Sequence, residues 1–164
     1  MKGEFEKSGI AGIVKENDIE FNKTLGTKIL FLDYDGVICP LTKETRGDNY
    51  KPDNNIVLNI KKVCQETGAK IVWSTSWKNY NNNAVRTFRR IDYKSPMPEI
   101  NRIFASYLFE IPETDNLIDD FPDNPGMSKY AEILKFLKDN RDKISDFIVI
   151  DDQDYMAGGL SKFG

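Results

Sequence analysis

Apolar residues in this chain fall into short unbroken runs separated by longer stretches with a helical period. Ile29 to Leu32 are consecutive apolar residues, the pattern of a strand covered on both faces, as in a parallel sheet flanked by helices. Ala69 to Trp73, broken only by Lys70, and Phe147 to Ile150 repeat it. Between the first two runs, Asp53 to Gly68 predicts a helix: Ile56, Ile60, Val63 and Cys64 share a face, Asp53 or Asn54 caps the start and Gly68 ends it. Pro125 to Leu137 predicts another, with Tyr130, Ile133, Leu134 and Leu137 on one face and Pro125 suited to a first turn. A right-handed strand–helix–strand crossover then brings the first two strand ends to one edge of a mainly parallel sheet. Tyr107 to Ile111 is expected to add a strand and Ala84 to Ile91 a short helix, with Asn79 to Asn83 as a loop. In the first 27 residues, Ile10–Val14 and Ile19–Phe21 are candidates to pair as a hairpin.

Composition narrows the picture without deciding it. With 164 residues and 40% apolar content, one globular domain with a sizeable core is expected. A net charge of −3 and a pI near 5.1 argue against a broadly basic nucleic-acid surface. Lys78, Arg86, Arg89, Arg90 and Lys94 nevertheless cluster, whereas Glu110 to Asp123 is acidic; the cluster is either a local basic rim or an ordinary solvated helix face. Cys39 and Cys64 are the only cysteines and form no paired motif, so reduced structural thiols are expected. No apolar run approaches membrane-spanning length and MKGEFEKSGI is not a signal peptide, which makes a cytoplasmic location the default. The chain has no histidine, so any proton transfer or metal ligation falls to other groups, above all carboxylates.

Chemistry concentrates where the strands end. The first run closes on Asp33-Tyr34-Asp35-Gly36 and the last on Asp151-Asp152. In open α/β sheets ligands bind outside the carboxyl ends of strands, although a short Asp/Gly cluster is in itself also a common turn. Ser74, Thr75 and Ser76 follow the second run, where a hydroxyl and backbone N–H groups hold a phosphate oxygen or simply form a Ser/Thr turn. Lys129 lies near a predicted helix N-terminus, placed to neutralise an anion or to sit in solvent. Up to four carboxylates converging on a small volume would repel one another. A divalent cation relieves that conflict, and carboxylate-rich, all-oxygen ligation is the chemistry of Mg²⁺.

The ordered set Asp33-x-Asp35-Gly36-Val37, Ser74/Thr75, Lys129 and Asp151-Asp152 resembles the four motifs of the haloacid dehalogenase (HAD) superfamily of phosphatases, over roughly Lys28 to Asp154. The resemblance implies a Rossmann-like three-layer α/β/α sandwich with a minimal cap, residues 28–164 forming the HAD-like phosphatase domain and 1–27 an N-terminal extension. It implies Asp33 as the nucleophile that becomes an aspartyl phosphate, and Asp35 as the acid, then base, of the two steps. It implies Thr75, with Ser74 as the competing register, and Lys129 as phosphate-binding groups. Asp33, Asp35 through its backbone carbonyl, Asp151 and Asp152 would hold Mg²⁺ as cofactor, with either of the last two as direct ligand. Dehalogenases need no acid two residues after the nucleophile, so Asp35 points to phosphoryl transfer.

Cap domains in this superfamily are inserted after the first motif or between the second and third. Here Cys39 to Pro52 leaves room for a flap only, and Lys78 to Asn124 must also supply core elements. An open site favours a macromolecular partner such as a phosphorylated nucleic-acid end. FLDYDGVI, the segment Trp73 to Trp77 and VIDD look like the small HAD domains found with RNA-repair enzymes, and Trp73 and Trp77 either stack on a base or pack in the core. The chain stops about a dozen residues after Asp152, where many relatives add another strand and helix, so either a short sheet or a truncated C-terminus is expected. A receiver domain places its phosphoacceptor after a later strand and does not fit this order. A nucleotide or sugar phosphatase and a non-catalytic phosphate-binding module are the competing functions.

Overall fold

The computed structural model describes residues 19–40, 51–79, 85–88, 91–120 and 125–152. Strands β1 (Thr27–Leu32), β2 (Lys70–Trp73), β5 (Leu108–Glu113) and β6 (Ile144–Ile150) form one parallel sheet in the order β5-β2-β1-β6. Strands β3 (Val85–Phe88) and β4 (Ile91–Lys94) form a separate antiparallel pair. Helix α1 (Asn54–Thr67) joins β1 to β2, α2 (Met97–Ile103) precedes β5, and α3 (Pro125–Asp139) precedes β6.

Alternation along β1 builds the layers. Leu30 and Leu32 pack on one face with Val57, Ile60 and Cys64 of α1 and Met97 and Ile100 of α2. Ile29 and Phe31 pack on the other with Ile133, Phe136 and Leu137 of α3. Phe31 meets Phe136 edge to face at 5.5 Å. The result is the α/β/α sandwich expected for a strand covered on both sides.

Helix α1 ends as its sequence dictates. Asp53 accepts from the N–H groups of Asn55 and Ile56, and Gly68 closes the helix at φ 72°. Its buried face is rotated from the expected one: Val57, Ile60 and Cys64 are buried, while Val63 is exposed.

Two expectations are corrected. Within the expected helix Ala84 to Ile91 the described residues are strand: Val85 pairs with Lys94 and Phe88 with Ile91 in an antiparallel pair. Val85, Thr87, Ile91 and Tyr93 are β-branched or aromatic and alternate with polar residues, a strand signal that outweighs the short apparent helical spacing. Of the basic cluster, Arg86 and Lys94 lie on the two strands of this pair and Lys78 in a 3₁₀ turn (Ser76–Asn79), not on a helix face, and Arg89 and Arg90 lie outside the described residues. Trp73 and Trp77 are both fully buried, which excludes base stacking and makes them core residues. Residues 19–22 are irregular, and Ile19 and Phe21 pack against the α3 side of the sheet; the other arm of the expected hairpin, Ile10–Val14, lies outside the described residues. No helix among the described residues is long and apolar enough to cross a membrane.

Candidate active site

Strand pairing sets the site. Leu32 at the tip of β1 lies opposite Trp73 of β2 and Ile150 of β6. The ladder continues one step further: Asp33 N–H donates to Ile150 O at 3.1 Å, Ser74 N–H to Leu32 O at 2.8 Å, and Thr114 N–H to Trp73 O at 3.1 Å. Thr114, Ser74, Asp33 and Asp151 thus form a row across the carboxyl edge of the sheet. β1 is central, so Asp33 receives neighbours from both sides.

Asp33 is buried and held at both oxygens. Its Oδ1 accepts from Tyr34 N–H at 2.8 Å, and its Oδ2 accepts from Lys129 Nζ at 2.8 Å. Lys129, reaching in from the first turns of α3, also donates to Asp151 Oδ2 at 2.9 Å. Burial pushes the Asp33 carboxyl above the usual carboxylate range, the Lys129 charge pulls it back, and the Asp151 charge raises it again. For Lys129, burial alone would lower the pKa, but Asp33 and Asp151 together outweigh it and raise the ammonium above its ordinary value. The lysine is a fixed cation.

One carboxylate oxygen each from Asp33, Asp151 and Asp152 lie within 4.8 Å of one another. Three hard oxygen donors at that spacing fit a small divalent cation such as Mg²⁺. Gly36, at φ 78°, leaves the space the third carboxylate occupies: a Cβ there would stand 2.1 Å from Asp152 Oδ2. Any side chain at residue 36 would push Asp152 out of the cluster.

The other expected residues divide. The Asp35 side chain does not join the three; its Oδ2 accepts from the Trp77 indole Nε1–H at 3.0 Å. The four-carboxylate convergence is therefore a convergence of three, because the chain turns sharply after Asp33, with Ile38 and Cys39 N–H groups both donating to Tyr34 O. Cys39, beside this turn, has its thiol pushed up to about 11, first by burial and then by the Asp35 charge, which keeps it protonated and unreactive. Ser74 and Thr75 are both buried. Thr75 Oγ1 accepts from Trp77 N–H at 3.3 Å, closing a local turn, whereas Ser74 Oγ has no hydrogen-bond partner among the described residues. The Thr114 hydroxyl, which sequence patterning did not single out, is likewise buried without one.

A parallel α/β sheet with two aspartate-bearing strand tips, an intervening hydroxyl strand end and a helix-borne lysine defines a phosphatase-type HAD domain. The family model described as the HAD domain in Swiss Army Knife RNA repair proteins matches residues 29–162, and the chain belongs to that family. No curated protein and no solved structure matches it.

Proposed function

We propose that the chain is a Mg²⁺-dependent phosphomonoesterase that works through an aspartyl phosphate on Asp33 and acts on phosphorylated nucleic-acid ends. The observation that carries this reading is the Asp33–Lys129–Asp151 triad at 2.8 and 2.9 Å, set in the strand row that also holds Ser74. A carboxylate fixed at both oxygens loses little orientational freedom on attack, and the adjacent ammonium offsets charge that builds on the transferring group.

Each residue has a task. Asp33 attacks phosphorus. Ser74 donates its hydroxyl to a phosphoryl oxygen; it is favoured over Thr75 because it shares the Asp33 row and Thr75 already closes the Trp77 turn. Lys129 holds the nucleophile and the phosphoryl group together. Asp35 protonates the leaving oxygen and then deprotonates the attacking water. Asp33, Asp151, Asp152 and the Asp35 carbonyl would hold Mg²⁺, which when bound neutralises charge between nucleophile and phosphate. The family description, which names RNA repair proteins, supports a nucleic-acid substrate, as does the two-stranded β3–β4 sheet, the one addition to the parallel sheet among the described residues.

The test is a panel of phosphomonoesters with Mg²⁺: 3′- and 5′-phosphorylated oligonucleotides, mononucleotides, sugar phosphates and an aryl phosphate. Oligonucleotide ends should be preferred, and Asp33→Asn should abolish turnover while keeping the native circular dichroism. Equal rates for both proteins reject the nucleophile, a preference for mononucleotides or sugars rejects the substrate class, and wild-type inactivity on every ester rejects catalysis in favour of a binding module.

A further inference from the structure

We infer that Trp77 is the positioning residue for Asp35: its indole holds the proton-transferring carboxyl apart from the carboxylate cluster and decides which oxygen carries the proton. This rests on the function proposed above. Asp35 lies two positions from Asp33, yet its side chain stays out of the cluster formed by Asp33, Asp151 and Asp152. The Trp77 Nε1–H, 3.0 Å from Asp35 Oδ2, supplies a competing anchor.

An indole N–H only donates. A carbonyl oxygen accepts better than a protonated one, so the bond favours Oδ2 as the unprotonated oxygen and Oδ1 as the one that carries and releases the proton. As the Asp33 oxygen bonds to phosphorus, the bond to the leaving oxygen breaks, its electron pair stays on that oxygen, and the Asp35 Oδ1 proton moves to it. In the second step Oδ1 takes a proton from water as the water oxygen bonds to phosphorus and the Asp33–phosphorus bond breaks. The anchor is rigid. Trp77 is fully buried, and its backbone N–H bonds Thr75 Oγ1, tying Asp35 to the strand end that carries Ser74. Trp73 is an internal control: equally buried, it donates its Nε1–H to Asn101 Oδ1 at 2.6 Å and not to a carboxylate.

Trp77→Phe removes the donor and keeps most of the packing. Across aryl and alkyl phosphates with Mg²⁺, loss of a positioned acid should lower kcat/KM about 100-fold for poor leaving groups and only about 3-fold for good ones, which need no protonation. Trp73→Phe should leave the slope against leaving-group pKa unchanged. Independently of turnover, the two tryptophans of the chain give two indole cross-peaks in a ¹H–¹⁵N spectrum, and Asp35→Asn should shift the Trp77 peak alone. A uniform loss across the series in Trp77→Phe, or a Trp77 peak that ignores Asp35→Asn, overturns the inference while turnover by wild type preserves the proposed function. A wild type that hydrolyses no ester overturns both. Should Trp77→Phe not fold, benzothienylalanine at residue 77 in the Trp73→Phe background keeps the bicycle without its N–H and must give the same steepened slope.

Discussion

Helix α3 carries one arrangement twice. Lys129 lies between Asp33 and Asp151 at 2.8 and 2.9 Å, and further along the same helix Lys135 lies between Asp115 and Asp139, both at 2.6 Å. By distance the second triad is the tighter. By exposure it is the weaker: its side chains are 44%, 63% and 51% accessible, against 12%, 7% and 1% for the first. Water and salt screen the outer charges and their long side chains lose entropy on pairing, so the outer triad contributes little. The inner charges have lost their water and depend on one another, so geometry there is fixed at a cost in intrinsic stability. Burial, not contact length, separates a surface ornament from a prepared site.

Removing each lysine breaks the comparison most directly. Lys129→Met should lower kcat by about 10²- to 10³-fold and destabilise the fold by about 3 kcal/mol, because two buried carboxylates lose their counter-charge; steady-state kinetics and urea unfolding measure both. A Lys129→Met protein as stable as wild type would remove the distinction between the triads.

A smaller effect, with a defined pH dependence, is expected for Asp33→Asn in the presence of chelator. The folded chain raises the Asp33 pKa above its ordinary 3.8, so folding favours the protonated acid and wild type loses stability as pH climbs from that value through the folded pKa. Asn mimics the neutral acid. The variant should melt above wild type at pH 7, with the gain vanishing as pH falls below 3.8; thermal scans across that range measure it, and a gain that grows toward acid would contradict the assigned direction.

The smallest change belongs to Lys135→Met. It should cost no more than about 0.5 kcal/mol at low ionic strength, with the difference gone in about 1 M salt, and should leave turnover unaltered. A salt-insensitive loss would place the outer triad with the inner one.

Most of the frame was legible because its signals are local. β1, β2, β6, α1 and α3 follow from apolar runs, a capping Asp53 and a terminating Gly68, and the motif residues Asp33, Lys129, Asp151 and Asp152 meet at the sheet edge as the family resemblance implied. What escaped depends on long-range contact or on choosing between periods. Residues 84–91 offer a few apolar positions that suit either period, and pairing with Ile91–Lys94 selects the strand. α2 is too short to show a period. The turn of Asp35 toward Trp77 joins residues 42 apart in sequence, and the division between Ser74 and Thr75 needs the β1–β2 register.

That register has a consequence for assembly. Leu32 faces Trp73 on one side and Ile150 on the other, so the tips of three separate strands are level. Sliding β6 by a single residue would present Asp152 where Asp151 belongs and move the apolar side chains of β6 to the opposite face of the sheet, leaving one carboxylate too few for the three-oxygen cluster. The cluster works as a vernier for chain threading: only a correctly seated sheet closes it, so whatever ion or phosphate it captures also stabilises the right fold over its nearest misaligned rival.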